Sequence, residues 1–202
     1  MGIMLIGALV GFLRFNRLKY IQLLIWVICC VSLLTEIISI ALMKNVINTY
    51  AVFHIYAPIS YSLIILVFAR FYEQNRWFGK ALKFSIWPIW VFAILNVIFL
   101  QSYQTANTNV TVPTSLIFVG LSIFSFVTIL NQTKYERLLS SSFFWSLIGI
   151  VIYFSSSLLL FLYANWLKNV TPEESITIWV LSVFFNSIHY LCFNIALWMD
   201  PE

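Results

Sequence analysis

Two ionisable side chains, Glu36 and His54, lie inside apolar runs of the sequence, where a charged group is costly to bury. A carboxylate and an imidazole can form an ion pair, bind a polar ligand or exchange a proton. Glu36 belongs to the apolar segment 20–42 and His54 to the segment 50–71, and only a short connection separates the two. We therefore expect antiparallel neighbours that bring both residues to similar depth. This arrangement predicts a direct hydrogen bond or ion pair between Glu36 and His54.

Other polar side chains recur on the same helical faces as this pair. Helical spacing places Ser32 and Ser39 beside Glu36, and it places Tyr50 and Tyr61 beside His54. The pattern predicts a polar pocket that opens to the outer side of a membrane. Its candidate residues are Glu36, His54, Tyr50, Tyr61, Ser32 and Ser39. Two alternatives stay open, because Glu36 could be a hydrogen-bonded packing contact between helices and His54 could be an interfacial histidine near the lipid headgroups.

A second polar stripe runs along the last apolar segment, 176–199. The stripe starts at Asn186, and its other members follow three, four and eight positions later at His189, Tyr190 and Asn194. This spacing places all four side chains on one helical face. Tyr153 in the segment 143–163 and Asn96 in the segment 82–100 add polar groups that could line a path between the outer and inner halves. The stripe predicts either hydrogen-bonded helix packing or the wall of a polar interior path.

The sequence contains no recognisable metal or nucleophile motif. The two histidines lack metal-ligand spacing, and no strand-turn-helix nucleophile signature occurs. The three cysteines, Cys29, Cys30 and Cys192, lie within apolar segments, so a disulfide framework is not expected. We expect neither a metal nor a cofactor. An intramembrane enzyme that uses Glu36 and a histidine for acid–base chemistry is the least favoured of the functional interpretations.

The composition predicts an integral membrane protein. Of the 202 residues, 62% are hydrophobic and only 9% are charged, and the mean hydropathy is +0.95. A soluble domain carries about 25% charged residues, so a chain of this composition could not cover a surface that faces water. Long unbroken apolar runs favour helices rather than the short alternating segments of a membrane barrel.

Seven apolar segments predict a single all-α domain over residues 1–202, a bundle of seven transmembrane helices. The expected spans are 2–18, 20–42, 50–71, 82–100, 112–130, 143–163 and 176–199. Six of them suit a hydrocarbon core of about 30 Å. The first is short, so a bundle of six spans is the alternative. Gly7 and Gly11 in this first segment predict close packing on another helix.

The distribution of basic residues predicts the orientation. Nine of the 11 lysines and arginines lie in or flank the first, third and fifth connections, and only Lys44 and Lys168 fall on the other side. Cytoplasmic loops carry such an excess, so the N-terminus is expected outside and the C-terminus in the cytoplasm, in a plasma or inner membrane. Because topology accounts for the net charge of +4, nucleic acid is not an expected partner.

These features favour a small sensor or signalling subunit with an outward-facing polar pocket. No connection exceeds about a dozen residues, so we expect no output domain and infer a cytoplasmic or membrane partner protein at the basic inner loops. The alternative is a transporter or channel subunit whose path includes Glu36 and His189. A homo-oligomer is a further alternative. The topology resembles that of seven-helix receptors and microbial rhodopsins, but segment 176–199 has no lysine that could bind retinal, and we assign no family.

Overall fold

The computed structural model describes residues 1–45, 47–132, 138–166 and 171–199. These residues form helices and no strand, which confirms the all-α prediction. In chain order the helices are α1 (Gly2–Leu13), α2 (Tyr20–Lys44), α3 (Tyr50–Phe71), α4 (Arg76–Phe84), α5 (Ile86–Leu95), α6 (Thr108–Gln132), α7 (Ser142–Trp166) and α8 (Pro172–Trp198). A 3₁₀ turn at Phe15–Arg17 follows α1, and a π-helical turn at Asn96–Leu100 extends α5.

Six helical segments in the described residues are long and apolar enough to cross a membrane, when α4, α5 and the π-helical turn count as one segment over Arg76–Leu100. This finding supports a multi-pass membrane protein. The first predicted span, 2–18, is shorter than expected, because α1 ends at Leu13 and the polar stretch from Arg14 onwards turns instead of continuing the helix. A helix of 12 residues rises only about 18 Å. The count of seven spans and the orientation remain predictions.

The chain divides into two compact units, one covering residues 1–111 and the other residues 112–199. The boundary in the sequence falls inside the residue range of α6. The single domain expected over residues 1–202 remains a prediction.

In the first unit, α2 and α3 are antiparallel neighbours. Near the middle of α2, the hydroxyl of Ser32 lies 2.8 Å from that of Tyr56. At the start of α2, the guanidinium of Arg70 lies over the Tyr20 ring, 5.4 Å from its centre. We call the end of the unit that holds Arg70 the basic end, and the opposite end, where α2 ends and α3 begins, the polar end.

Helix α1 packs against α2 through its small residues. Gly7 and Gly11 are buried, and a Cβ atom at Gly11 would overlap the Trp26 ring. The indole Nε1 of Trp26 donates a 3.0 Å hydrogen bond to the carbonyl oxygen of Ala8. The prediction of close helix packing is confirmed for Gly11.

The fourth predicted span, 82–100, is divided in the structure. Helix α4 begins earlier, at Arg76, and a turn at Ser85 separates it from α5. Pro88 explains the break, because a proline lacks an N–H and clashes with the preceding helical turn. At this turn, the Ser85 hydroxyl donates a 2.7 Å hydrogen bond to the Leu82 carbonyl. By contrast, α3 remains one continuous helix through Pro58.

In the second unit, α7 and α8 pack closely at Gly149. A Cβ atom at this position would lie 3.0 Å from both the Cβ of Cys192 and the carbonyl oxygen of His189, so a larger residue would crowd this approach. Phe118 of α6 packs on Phe154 of α7, with ring centres 4.6 Å apart. Leu147, Phe193 and their neighbours complete a buried apolar core.

Helix α8 begins four residues before the predicted boundary at Ile176. Thr171 caps it, and Glu174 completes a reciprocal capping box by accepting hydrogen bonds from the Thr171 backbone N–H at 2.8 Å and from its hydroxyl at 2.9 Å. A proline in the first turn suits a helix start. Hydropathy alone missed this boundary because the first turn is polar.

Candidate functional site

Glu36 has a different partner from the one expected. Its carboxylate lies 3.0 Å from the terminal amine of Met1, at the start of the neighbouring helix α1. The carboxylate side chain is 32% exposed, so it lies on a helix face that is only partly covered. The predicted direct Glu36–His54 bond is wrong, because each of the two side chains has its own partner.

His54 joins α3 to the loop 101–107 at the polar end. It is 6% exposed, and its Nε2 lies 3.0 Å from the carbonyl oxygen of Thr105. A carbonyl only accepts hydrogen bonds, so Nε2 carries the proton in this contact. The other ring nitrogen, Nδ1, is buried without a hydrogen-bond partner among the described residues, which leaves a free acceptor in that tautomer.

A cluster of side-chain amides holds the same loop to the ends of α5 and α6. The Asn96 amide nitrogen donates to Asn107 and Gln101 at 3.3 Å each, and its oxygen accepts from Asn109 at 2.9 Å. Asn96 is fully buried. Asn96 is also the first residue of the π-helical turn. The Gln101 N–H donates a 2.7 Å hydrogen bond to the Asn96 carbonyl, five residues earlier, which is the hydrogen-bond spacing of a π-helix.

The amide of Asn48 adds a third attachment by donating a 2.9 Å hydrogen bond to the Gln104 carbonyl. The loop 101–107 is therefore fixed from three directions, by the connection after α2, by α3 and by the amide cluster. We define the polar-end site as His54, Asn96 and Asn107. Its members have buried side chains, and besides His54 Nδ1 the Asn107 Nδ2 has no partner in the described part of the chain.

The other pocket candidates occupy mixed environments. Ser39 is buried near the polar end, and its hydroxyl also lacks a hydrogen-bond partner among the described residues. Ser32 is bonded to Tyr56. Tyr61 lies deeper, and its hydroxyl is 2.9 Å from that of Ser85. Tyr50 is exposed. Whether these residues line a ligand pocket remains a prediction.

In the second unit, His189 is packed among aromatic rings. Tyr153 stacks on it with ring centres 5.0 Å apart, and Phe193 lies at 4.2 Å. Tyr190 and Phe154 contact it at 5.1 and 6.2 Å. Its Nδ1 is buried with no hydrogen-bond partner in the described residues. The structure thus brings together three members of the predicted polar stripe, Tyr153, His189 and Tyr190.

The three remaining members of the predicted stripe are asparagines, and they lie in two different environments. Asn186 and Asn194 are half-buried on α8. Asn96 belongs to the amide cluster of the first unit instead. Among the described residues, no three His, Cys, Asp or Glu side chains form a group that could hold a metal ion. The residues described here therefore offer hydrogen-bonding groups and rings rather than a metal centre.

Two cavities lie at the basic end of the first unit, where α3 meets α4. The larger is about 620 Å³ and is lined by Ala69, Glu73, Gln74, Arg76, Gly79, Lys80 and Lys83. The smaller is about 150 Å³ and is lined by Tyr20, Leu66, Arg70, Glu73 and Lys83. Glu73 forms a salt bridge with Arg70. We call the larger space the basic cavity.

The sequence interpretation missed several of these residues. Gln101, Thr105 and Asn107 lie between the predicted spans 82–100 and 112–130, in a stretch rich in amides and hydroxyls. The density of asparagine and glutamine there was the available signal. Lys80 and Lys83 were used only to assign orientation, although their spacing with Arg76 already placed them on one helical face.

Comparison with protein-family models, curated proteins and solved structures found no match to this chain.

Proposed function

We propose that this protein is a membrane-embedded sensor or signalling subunit that receives a small polar ligand at the polar end and passes its state to a partner protein at the basic end. The observation that carries this proposal is the course of α3. This continuous helix carries His54, with its unpartnered Nδ1, near one end and the cavity residue Ala69 near the other.

The polar-end site has chemistry suited to a small hydrogen-bonding molecule. His54 Nδ1 can accept a hydrogen bond, and Asn107 Nδ2 can donate one. A buried polar group without a partner costs about 1–3 kcal/mol. A ligand that carries both a donor and an acceptor would remove this cost, and that gain supports binding.

The same helix offers a route for the signal. From His54 to Arg70 the helix rises about 24 Å, so a shift of its outer end would move the floor of the basic cavity. The loop 101–107, attached through His54, would move with it. In the predicted orientation, the ligand site faces outward and the partner surface faces the cytoplasm.

A transporter or channel subunit is the second candidate. The specific support comes from the second unit, where Ser122 Oγ and His189 Nδ1 are buried without partners among the described residues. Polar atoms of this kind inside a membrane helix are typical of substrate or ion paths. Glu36 would supply a carboxylate in such a path.

Labelling of single cysteines from outside intact cells separates the two candidates. In a background without native cysteines, Thr105→Cys should react with a membrane-impermeant thiol reagent, because Thr105 is exposed and lies beside His54. A protein that keeps only Cys192, one helical turn from His189, should not react. Reaction at Cys192 would favour a transport path, and absence of reaction at residue 105 would refute an outward-facing site.

Two exposed positions control this experiment. Tyr103→Cys should react from outside, because the residue lies in the loop at the polar end. Trp77→Cys should react only after the cells are permeabilised, because α4 lies at the basic end. The reverse pattern would overturn the predicted orientation.

A further inference from the structure

The basic cavity has the composition of an anion-binding site. Three cations, Arg76, Lys80 and Lys83, and one carboxylate, Glu73, line it. Glu73 is already engaged by Arg70 in a salt bridge. No salt bridge reaches Arg76, Lys80 or Lys83 from any residue that the structure describes. The cavity therefore holds an excess of positive charge.

The three cations converge because of how α4 is built and held. Their spacing of four and three residues puts them on one face of this helix. Gly79 lets α4 approach the end of α3, since a Cβ there would lie only 3.2 Å from the Tyr72 carbonyl oxygen and 3.3 Å from that of Ala69. Leu82 is buried in the same contact.

Membrane orientation alone does not account for this geometry. An excess of cytoplasmic lysine and arginine explains on which side these residues lie. It does not require them to share a helix face and surround one cavity, where like charges repel each other. A bound anion would relieve that repulsion, and a phosphate group offers several acceptor oxygens to lysine and arginine donors at once.

The surroundings of the cavity favour a phosphate carried by a lipid. On α4, Trp77 is 77% exposed and Phe84 is 71% exposed, and their spacing of seven residues places both on one face. Such a short helix with aromatic and basic residues is typical of the membrane interface. The smaller cavity, which shares Glu73 and Lys83 with the basic cavity, extends towards Leu66 and Tyr20 on apolar helices.

We propose that the basic cavity binds the phosphate group of an anionic phospholipid, whose acyl chains would lie along α2 and α3. A volume of about 620 Å³ is within the range of small-molecule sites, about 300–1,000 Å³. Basic pockets beside membrane helices on the cytoplasmic side are suited to such headgroups. This inference does not depend on the proposed function, because it requires neither a ligand at the polar end nor a partner protein.

Binding of short-chain lipids to the full-length protein in a neutral detergent tests the proposal. The probes are a phosphatidylglycerol, a phosphatidylcholine with the same chains, inorganic phosphate and a polyglutamate peptide. Wild type should bind the phosphatidylglycerol most tightly. The double variant Lys80→Gln/Lys83→Gln should weaken this binding about thirtyfold. Each lysine near an anionic lipid raises the binding affinity about fivefold, so the loss of two lysines multiplies to this figure. Arg76→Gln is a second variant with an expected loss of about fivefold.

Lys44→Gln is the matched control, because Lys44 is an exposed lysine in the last turn of α2, at the opposite end of the unit. It should leave binding unchanged. The substituted lysines are exposed and have no hydrogen bond or salt bridge in the described residues, so the variants should keep the helical circular dichroism of wild type.

Several results would overturn the proposal. Equal affinity of the double variant for phosphatidylglycerol would exclude the cavity, and an equal loss in Lys44→Gln would indicate unspecific attraction to charge. Binding of inorganic phosphate as tight as that of the lipid would assign the site to a soluble phosphate. Lysine-dependent binding of polyglutamate without lipid binding would assign it to an acidic protein. The experiment never involves the polar end, so its failure would leave the proposed sensing site unaffected.

Discussion

The Nε2 atom of His54 lies 3.0 Å from the carbonyl oxygen of Thr105, a residue 51 positions further along the chain. This contact attaches the loop 101–107 to α3, one helical turn from its start. It also fixes the tautomer, because the carbonyl can only accept. The imidazole is therefore both a structural attachment for the loop and a source of one free buried acceptor.

Replacing His54 with alanine should loosen this loop. The variant leaves the Thr105 carbonyl without its partner, and one hydrogen bond is worth about 1 kcal/mol. We expect amide hydrogen exchange in residues 101–107 to accelerate about fivefold, while exchange in α2 stays unchanged. Phe53→Ala is the control, because this neighbouring side chain is exposed. Unchanged exchange in His54→Ala would show that Asn48 and the amide cluster hold the loop without the histidine.

Gly149→Ala should destabilise the second unit. The added methyl group would lie 3.0 Å from the His189 carbonyl oxygen, and backbone cannot move aside as a flexible side chain can. Forcing an extra methyl group into a packed contact costs about 1–3 kcal/mol. Unfolding in detergent, followed by circular dichroism, measures the loss.

Gly120→Ala on α6 provides the comparison, because a Cβ at that position meets nothing within 4 Å. Its stability should equal or slightly exceed that of wild type, since alanine has the higher helix propensity. If both variants lose a similar amount of stability, the close approach of α7 and α8 does not explain the need for glycine at position 149.

The helices were predictable from sequence because their signal is local. Runs of about 20 apolar residues require helical backbone in a membrane, and α2 and α3 begin where the runs begin. The misplaced boundaries lie where polar residues form helix. Arg76 begins α4 on an amphipathic turn, and Thr171 begins α8 with a capping box. Hydropathy does not register such starts.

The partners of Glu36 and His54 were not predictable in the same way. Equal depth on neighbouring helices says nothing about rotation around the helix axes, and a rotation of one residue is about 100°. Moreover, the residues that His54 and Asn96 contact lie in the loop 101–107. The position of a loop depends on long-range contacts that a periodic pattern does not contain.

Replacing Asn96 with alanine should cost about 1–3 kcal/mol of unfolding free energy, because it leaves the buried amide of Asn107 and the exposed amide of Asn109 without their shared partner. Chemical unfolding in detergent measures this difference. The control is Asn45→Ala, whose side chain bonds only to an exposed carbonyl of its own helix, and which should change stability by less than about 0.5 kcal/mol. Equal effects would contradict the assignment of Asn96 as the centre of the cluster.

Acidification should weaken the start of α8. The pKa of Glu174 is lowered from its ordinary value of 4.5 by hydrogen bonds from the Thr171 backbone N–H and from the Thr171 hydroxyl. Because the folded-state pKa is the lower one, the capping box contributes stability above about pH 4.5, and this contribution is lost as the pH falls through the lowered pKa. A carbon-13 titration of the Glu174 carboxyl should therefore show a midpoint below 4.5.

Thr171→Val removes the hydroxyl but keeps the backbone donor, so the midpoint should rise part of the way towards 4.5. Thr177→Val is the matched control, because the Thr177 hydroxyl bonds to the Glu173 carbonyl oxygen and not to the Glu174 carboxylate. Its midpoint should equal that of wild type. A wild-type midpoint at or above 4.5 would mean that the capping box does not form in solution, and α8 would then begin closer to the apolar residues at Ile176.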